Sequence, residues 1–246
     1  MIDCISVENM RQSDAYTIEN FVPSLELMYR AAYGVFENVN WQGRIAIVAG
    51  SGNNGGDGYA LACILKEHGF DCCVYTLGSR LSNNSRHYAE IAKGLGVEII
   101  PFDPSCSFIG FDYVVDCLLG TGFQGAVRED YRFAIKKINE SGAYVVSVDI
   151  NSGMNGDTGE AEIAVNSDLT VTIGYVKNGL VTELAGKYIK RLVCVDIGIV
   201  LAYQENLICS PAEWSDFCHR EKIDTASTAA SCAGRIYYRS PDWLEM

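Results

Sequence analysis

Apolar, β-branched runs alternate with segments of helical spacing along most of this sequence. The runs that predict strands are RIAIVAG (44–50), DCCVYTLG (71–78), VEIIPF (97–102), YVVDCLLG (113–120), AYVVSVDI (143–150), LTVTIGY (169–175) and LVCVDIGI (192–199). Helical spacing fills the intervals at 56–69, 85–96 and 131–142. Because strands and helices alternate and several strands are apolar throughout, the pattern predicts an α/β fold with a mostly parallel sheet covered on both faces.

Two more helices are predicted ahead of the first long strand, at 6–21 and 24–39, with Ser24 placed to cap the second. The alternation weakens beyond Val200, so we predict one domain at 1–205 and a C-terminal extension at 206–246. The extension is expected to pack on that domain or to be partly mobile. It contains one candidate short helix, from about Glu213 to Glu221, and a small, polar loop at 224–234.

Composition excludes several classes of partner. The net charge of −12 argues against nucleic-acid binding by bulk electrostatics. No apolar run approaches the roughly 18 residues that span a bilayer, and the polar opening MIDCISVENMRQSD is unlike a secretory signal. The ten cysteines are scattered without a CxxC pair, which favours reduced thiols over a disulfide framework and predicts a cytoplasmic protein.

Three strands end in glycine-rich or polar segments: VAGSGNNGGDG (48–58), VVDCLLGTGFQG (114–125) and SVDINSGMNGDTG (147–159). In parallel sheets, ligands bind beyond the carboxyl ends of the strands, so these segments predict one shared site. A helix that begins near Gly56 would offer free N–H groups to an anion. The first segment lacks the Lys-Ser/Thr of a P-loop and fits GxGxxG only loosely, so a glycine turn without function stays open.

Longer sequence motifs that include these segments are more specific for one protein family. GSGNNGGDGYALA (50–62) resembles the signature loop of the NAD(P)H-hydrate epimerases, the YjeF N-terminal domain family. The segments at 114–125 and 145–159 resemble that family's Asp-then-GTG strand end and its VDxPSGxxxDTG segment, in the same order. MRQSD (10–14), LELMYRAAYG (25–34) and KNGL (177–180) also resemble family segments, so the resemblance extends from about residue 5 to about residue 200.

The resemblance implies a Rossmann-like three-layer αβα sandwich and a repair reaction. The family interconverts the R and S forms of hydrated NADH and NADPH at C6 of the nicotinamide ring. By this resemblance, the potassium ligands are Asn54, Asp116 and Ser152. The residues expected to bind the hydrated cofactor are Asn53, Asn54, Gly55, Gly56, Asp57, Gly120, Thr121, Gly122, Phe123, Gln124, Gly125, Ala126 and Asp149, with residues 120–126 around its phosphates.

The chemistry of that reaction favours a carboxyl group at the ring. Epimerisation at C6 most simply proceeds by loss of the hydroxyl, which leaves a planar cation that water attacks from either face. A carboxyl group can donate and recover the proton, and as a carboxylate it can stabilise the cation. We assign this acid/base role to Asp149, at the end of a buried strand. The ligand set of Asn54, Asp116 and Ser152 offers hard oxygens suited to an alkali cation.

Each of these residues also has a structural interpretation. Asp116 could be a loop anchor, and Asp149 could cap the turn that follows it. Lys177 could contact a phosphate or be a solvated turn residue. The sequence also departs from the family: Asn151 replaces the proline of PSG, while Tyr29 and Ala32 replace a Glu and a Gly in the second helix.

Two rival functions are weighed against the epimerase. A non-catalytic scaffold of the same fold, as in messenger-RNA decapping proteins, tends to lose the glycine-asparagine loop and its acidic partner, which are present here. A Rossmann dehydrogenase lacks support because no acidic residue ends the second strand, CCVYTLGSR. The prediction is therefore a stand-alone epimerase, a homodimer by family analogy, that acts with a separate NAD(P)H-hydrate dehydratase.

Overall fold

The computed structural model describes residues 4–78 and 80–203, and the backbone of 236–239. The α-helices are α1 (Val7–Asn20), α2 (Ser24–Glu37), α3 (Asn53–Glu67), α4 (Asn83–Gly94) and α5 (Glu129–Asn139), with short 3₁₀ helices at Asn178–Val181 and Ala185–Lys187. The strands are β1 (Cys4–Ile5), β2 (Arg44–Ala49), β3 (Asp71–Thr76), β4 (Glu98–Pro101), β5 (Tyr113–Cys117), β6 (Tyr144–Val148), β7 (Leu169–Ile173), β8 (Val176–Lys177), β9 (Leu192–Val195) and β10 (Ile236–Arg239).

One large sheet organises the fold. Its strand order is β10-β9-β7-β6-β5-β2-β3-β4, and every pairing is parallel. The short strands β1 and β8 form a separate parallel pair. The predicted α/β fold is therefore confirmed, and each of the seven apolar runs contains a strand of the main sheet.

Side-chain alternation along β2 shows how the three layers form. Ile45 and Ile47 pack with α2, α3 and α4 in the larger core cluster, whereas Ala46 and Val48 pack with α5 in a second cluster. Both faces of the strand are completely buried, which explains why it is apolar at successive positions. The helices on the two faces leave the carboxyl ends of the central strands as the place where loops meet.

Two predicted details are wrong. Helix α3 begins at Asn53, three residues before the expected start at Gly56, and Gly52 is its N-cap. Ser24 is not a cap but the first residue of α2; Pro23 is the cap residue, and no side chain caps this helix. The fixed φ of proline suits the entry to a helix. The Ser24 hydroxyl instead donates to Asn84 Oδ1 at 3.4 Å.

The predictions for the C-terminal extension, a helix at about Glu213 to Glu221 and a loop at 224–234, fall outside the described residues. Among the helices that are described, none is long and apolar enough to cross a bilayer. No disulfide joins any two cysteines in the described ranges.

Candidate functional site

A cavity of about 720 Å³ opens at the carboxyl ends of the central strands. Its walls come from α1, α2, the start of α3, the loop after β5, and the residues that follow β6 and β7. The glycine-rich segment after β2, the segment after β5 and Asp149 after β6 all reach it, so the predicted convergence of three strand ends is confirmed. A volume of this size lies in the usual range of small-molecule sites.

Close backbone contacts explain part of the glycine density after β2. A Cβ added at Gly50 would lie 2.0 Å from the carbonyl oxygen of Leu118, and one at Gly55 would lie 1.9 Å from the carbonyl oxygen of Gly50. Both positions therefore require glycine for the chain to pack on itself. Gly52 differs, because a Cβ there would meet nothing within 4 Å.

Most of the residues predicted to bind substrate line the cavity. Those that do are Asn53, Asn54, Asp57, Gly120, Thr121, Gly122, Phe123, Gln124, Ala126 and Asp149. Three do not: Gly55 and Gly56 are buried in the first turns of α3, and Gly125 lines a neighbouring cavity of about 510 Å³. These placements describe the geometry; the binding roles remain predictions.

Asp116 is fully buried at the end of β5, beneath the cavity. Its carboxylate accepts hydrogen bonds from the Ser152 hydroxyl at 2.5 Å, the Ser152 N–H at 2.9 Å and the Ser147 hydroxyl at 2.9 Å. The Leu118 N–H adds a fourth bond at 3.2 Å. Burial raises the pKa of Asp116, and these hydrogen bonds oppose that rise. The carboxylate thus joins the ends of β5 and β6, as a loop anchor would.

Asn54 lies in the first turn of α3, with an unsatisfied oxygen. Its amide nitrogen donates to the carbonyl oxygen of Leu119 at 2.9 Å, whereas its buried Oδ1 has no hydrogen-bond partner in the described part of the chain. The Ser152 hydroxyl contacts the same residue, accepting from the N–H of Leu119 at 2.9 Å. A buried acceptor without a donor is costly unless a cation or water meets it. Asn54 and Ser152 therefore lie close together, since both hydrogen-bond to Leu119, and Asp116 is hydrogen-bonded to Ser152.

Asp149 forms an ion pair with Lys177. The ammonium group, fully buried, donates to the Asp149 carboxylate, to Thr172 Oγ1 at 3.1 Å and to the Ile173 carbonyl at 2.7 Å. Asp149 has a φ of 69°, the only positive value among the described non-glycine residues. The interpretation of Lys177 as a solvated turn residue is wrong. Instead, it fixes the carboxylate at the edge of the cavity.

Two further carboxyl groups face this ion pair. Asp57 of α3 and Asp14 of α1 both line the cavity and are partly buried. Burial raises the pKa of Asp14 to about 7, with Lys177 opposing and Asp149 adding to the rise. The pKa of Asp57 is raised well above its usual range, mainly by burial and then by the negative charges of Asp149 and Asp14. Sequence reasoning missed Asp14, although MRQSD, with Met10 and Asp14 one helical turn apart, contained the signal.

The remaining motif residues have structural roles. The Asp157 carboxylate accepts from the N–H of Val7 at 2.7 Å and so caps α1. Asn151, which replaces the family's proline, is fully buried; its amide nitrogen donates to the Val165 carbonyl at 2.8 Å, and its oxygen accepts from Thr170 Oγ1 at 2.6 Å. The substitution thus gains hydrogen bonds within the core in exchange for the rigidity of proline.

Comparison with known proteins agrees with the resemblance. A family model described as "YjeF-related protein N-terminus" matches residues 24–179. An NAD(P)H-hydrate epimerase from Limosilactobacillus fermentum is 36% identical over 200 residues, covering 78% of this chain and 95% of the relative. A "Bifunctional NAD(P)H-hydrate repair enzyme Nnr" from Archaeoglobus fulgidus is 40% identical over 192 residues, covering 76% of this chain and 39% of the relative.

The fold also matches a solved structure, the yeast protein described as "ynu0, YNL200c". The TM-score is 0.64 at 19% sequence identity, and the match covers 72% of this chain and 83% of that one. This likeness concerns the fold alone. Because the family model spans more than half of the chain and relatives above 30% identity cover over three quarters of it, the chain belongs to the family of YjeF-related protein N-terminal domains.

Proposed function

We propose that this protein is an NAD(P)H-hydrate epimerase, an isomerase that interconverts the R and S forms of hydrated NADH and NADPH at C6. Relatives that bear this name support the proposal. The observation that carries it is the Asp149 carboxylate, paired with a fully buried lysine and presented to a cavity lined by two more carboxyl groups. This arrangement suits a reaction that moves a proton and passes through a cation.

The reaction needs little more than proton transfer and charge stabilisation. An acid protonates the C6 hydroxyl as the C6–O bond breaks, and the lone pair of ring nitrogen N1 forms a C6=N1 double bond. Water then adds to either face of the planar cation and loses a proton to a base. The carboxylates stabilise the cation inside the partly enclosed cavity, because charges interact more strongly there than in bulk solvent.

We assign the substrate's phosphates to the backbone of two segments. The first is the N-terminus of α3, at Asn53 and Asn54, where N–H groups lack helical acceptors. The second is the loop from Gly120 to Ala126, where a Cβ added at Gly122 would meet nothing within 4 Å. Backbone donors of this kind allow an acidic protein to bind an anionic dinucleotide.

We infer a potassium site at Asn54, Asp116 and Ser152. The orphaned Oδ1 of Asn54, beside Ser152 and the Leu119 carbonyl, fits a cation bound mainly by neutral oxygens. Potassium there would supply positive charge next to the substrate's phosphates. Of the three candidate ligands, Asp116 alone is a carboxylate, while Asn54 and Ser152 offer neutral oxygens.

Potassium should stabilise the wild-type protein, and replacing Asn54 by alanine should abolish the effect. The measurement is the Tm in KCl against choline chloride at constant ionic strength, with sodium as a third series. At a concentration 100 times the Kd, the expected stabilisation is about 2.7 kcal/mol. Asn53→Ala, at the neighbouring position, is the matched control and should keep the potassium response. An equal response in Asn54→Ala would contradict this site.

Conversion of purified R-NADHX to the S form, followed by chromatography that resolves the epimers, tests the proposed function. Because the epimers also interconvert spontaneously, the rate without enzyme is the reference. We expect the folded wild-type protein to convert the R form at least about tenfold faster than the spontaneous rate. The same measurement with NADPHX shows whether both hydrated cofactors are substrates. A folded protein without acceleration would favour the non-catalytic scaffold instead.

Further features of the family prediction stand as proposals. We propose a homodimer, supported by exposed aromatic side chains on α1, directly after it and on α2: Tyr16, Phe21 and Tyr29 are each at least 40% exposed. We place it in the cytoplasm because its cysteines lack a disulfide pattern. It would supply a stereospecific NAD(P)H-hydrate dehydratase with the epimer that this partner uses.

A further inference from the structure

One face of α1 forms a wall of the cavity. The cavity is lined by five residues of this helix whose spacing places them on one side of it: Met10, Arg11, Asp14, Ala15 and Ile18. Asp14 is in the middle of this face. It comes from a different element than Asp149, which follows β6 in the sheet, so two separate walls each contribute a carboxyl group.

Asp14 has no counter-charge of its own. Within the described ranges, no hydrogen bond or ion pair holds its carboxyl group, and the same is true of Asp57. The charged groups that act on Asp14 are Lys177 and Asp149 from the strand side and Asp57 from α3, with Arg11 one turn away on its own helix. The Lys177 ammonium is bonded to Asp149, and within the described ranges neither Asp14 nor Asp57 forms an ion pair of its own.

Unpaired carboxyl groups in a partly buried cluster retain protons. Burial raises the pKa of Asp14 to about 7; the charge of Lys177 opposes this rise only in part, and the charge of Asp149 adds to it. An acid with a pKa near the working pH is well suited to proton donation. Asp149 differs from Asp14 in its contacts, because it is paired with the Lys177 ammonium.

We propose that Asp14 is a second catalytic residue of this site: in one direction of the epimerisation it is the acid that protonates the C6 hydroxyl, while Asp149 is the base that accepts a proton from the adding water, and in the reverse direction the two exchange roles. The proposal rests on the proposed epimerase function. Asp14 loses one proton as the C6–O bond breaks, and water leaves with the electron pair of that bond. The second water forms the new C6–O bond and gives one proton to Asp149. Proton return from Asp149 to Asp14 through solvent restores the site.

Two carboxyl groups suit the geometry of an epimerisation. Inversion requires the hydroxyl to leave from one face of the ring and water to add at the other. A single carboxyl group would have to serve both faces, whereas groups from α1 and from the end of β6 approach the ring from separate walls. The structure thus provides two proton-transfer groups for a reaction with two proton transfers.

The test compares Asp14→Asn with wild type from about pH 5.5 to 9. Asparagine keeps the shape of the side chain but carries no acidic proton. We expect kcat to fall by about 10²-fold or more while KM changes by less than about threefold. In wild type, kcat should fall as pH rises through about 7, because Asp14 loses its proton there. This limb of the pH profile should be absent in Asp14→Asn.

Two further variants control for structure. Glu19→Gln removes one charge from an exposed position on the same helix and should leave kcat unchanged. Asp14→Glu restores an acid and should recover part of the rate together with the pH-dependent limb. Wild-type kcat in Asp14→Asn, or a reduced kcat with an unchanged pH profile, would overturn the acid role while leaving the epimerase intact. Absence of acceleration by wild type would overturn the proposed function itself.

Thermal unfolding provides a readout that does not depend on activity. The pKa of Asp14 is raised in the folded state, so the folded protein binds more protons than the unfolded chain between about pH 4 and pH 7. Stability contributed by the protonated form is therefore lost as pH rises through this window. Asp14→Asn should show a smaller fall in Tm between pH 5 and pH 8, and should not melt below wild type at pH 8. If Asp14→Asn and wild type show the same dependence of Tm on pH, the pKa of Asp14 is not raised and the proposal fails.

Discussion

Replacing Asp149 by asparagine should lower kcat/KM for epimerisation by about 10²- to 10⁴-fold, because the proposed base beside the cavity is lost. Asparagine is preferred to alanine here because the φ of 69° at this position is one that asparagine tolerates. The substitution also leaves the buried Lys177 ammonium with neutral acceptors only, among them Thr172 Oγ1 and the Ile173 carbonyl. The measurement is the rate of R-to-S conversion above the spontaneous rate.

A double-mutant cycle separates chemistry from stability. Asp149→Asn and Lys177→Met each leave one charge uncompensated, so each should lower the free energy of unfolding in urea by about 3–5 kcal/mol. The double variant removes both charges and should be more stable than either single variant. It should nevertheless remain as inactive as Asp149→Asn. Recovery of activity in the double variant would show that Asp149 acts through stability alone.

Replacing Gly55 by alanine should destabilise the protein by about 3 kcal/mol or more. Helix propensity alone predicts the opposite, since alanine in a helix is about 1 kcal/mol more favourable than glycine. The steric effect is larger, because the new Cβ would lie 1.9 Å from the carbonyl oxygen of Gly50, a backbone atom that cannot rotate away. Separating the two segments would also displace Asn54 at the cavity.

Gly94→Ala is the matched control for this prediction. Gly94 ends α4, and a Cβ added there would meet nothing within 4 Å. This substitution should be neutral or stabilise the protein by up to about 1 kcal/mol. The comparison uses denaturant midpoints of the two variants and wild type. A Gly55→Ala protein that unfolds at the same midpoint as Gly94→Ala would contradict the close backbone approach.

Local sequence pattern was sufficient to predict the sheet and the position of its site. Buried parallel strands need apolar side chains on both faces, and that requirement is visible in runs such as YVVDCLLG. Because the carboxyl ends of parallel strands meet at one edge of the sheet, Asn54, Asp116 and Asp149 were predicted to lie near one another. The family resemblance added roles for these residues that pattern alone does not provide.

The start of α3 could not be predicted in the same way. Asparagine and glycine have low helix propensity, so residues 53–55 have the composition of a loop. Tertiary packing stabilises the helix instead: Gly55 contacts the Gly50 carbonyl, and Gly58 lies against the Cys117 side chain. The second of these contacts joins residues far apart in the sequence, and neither contact depends on helix propensity, so the local composition does not reveal the start of the helix.

Lys177 and Asp14 were missed for a similar reason. Lys177 precedes Asn-Gly, which is typical of an exposed turn, yet its ammonium is buried because Asp149, far back in the sequence, supplies the counter-charge. Asp14 has the surroundings of a polar helix surface, with exposed Arg11 and Gln12 nearby. It reaches the cavity only because α1 packs over the carboxyl edge of the sheet.

The all-parallel sheet also constrains how quickly this chain can fold. Parallel strands cannot be joined by a tight hairpin, so even the nearest paired strands, such as β7 and β9 with Thr170 opposite Leu192, are separated by a long connection. The central pairing of β2 with β5 joins Ala46 to Val114. Since such pairings require long loops to close first, folding should take milliseconds to seconds, and apolar strands stay exposed to aggregation until the sheet forms.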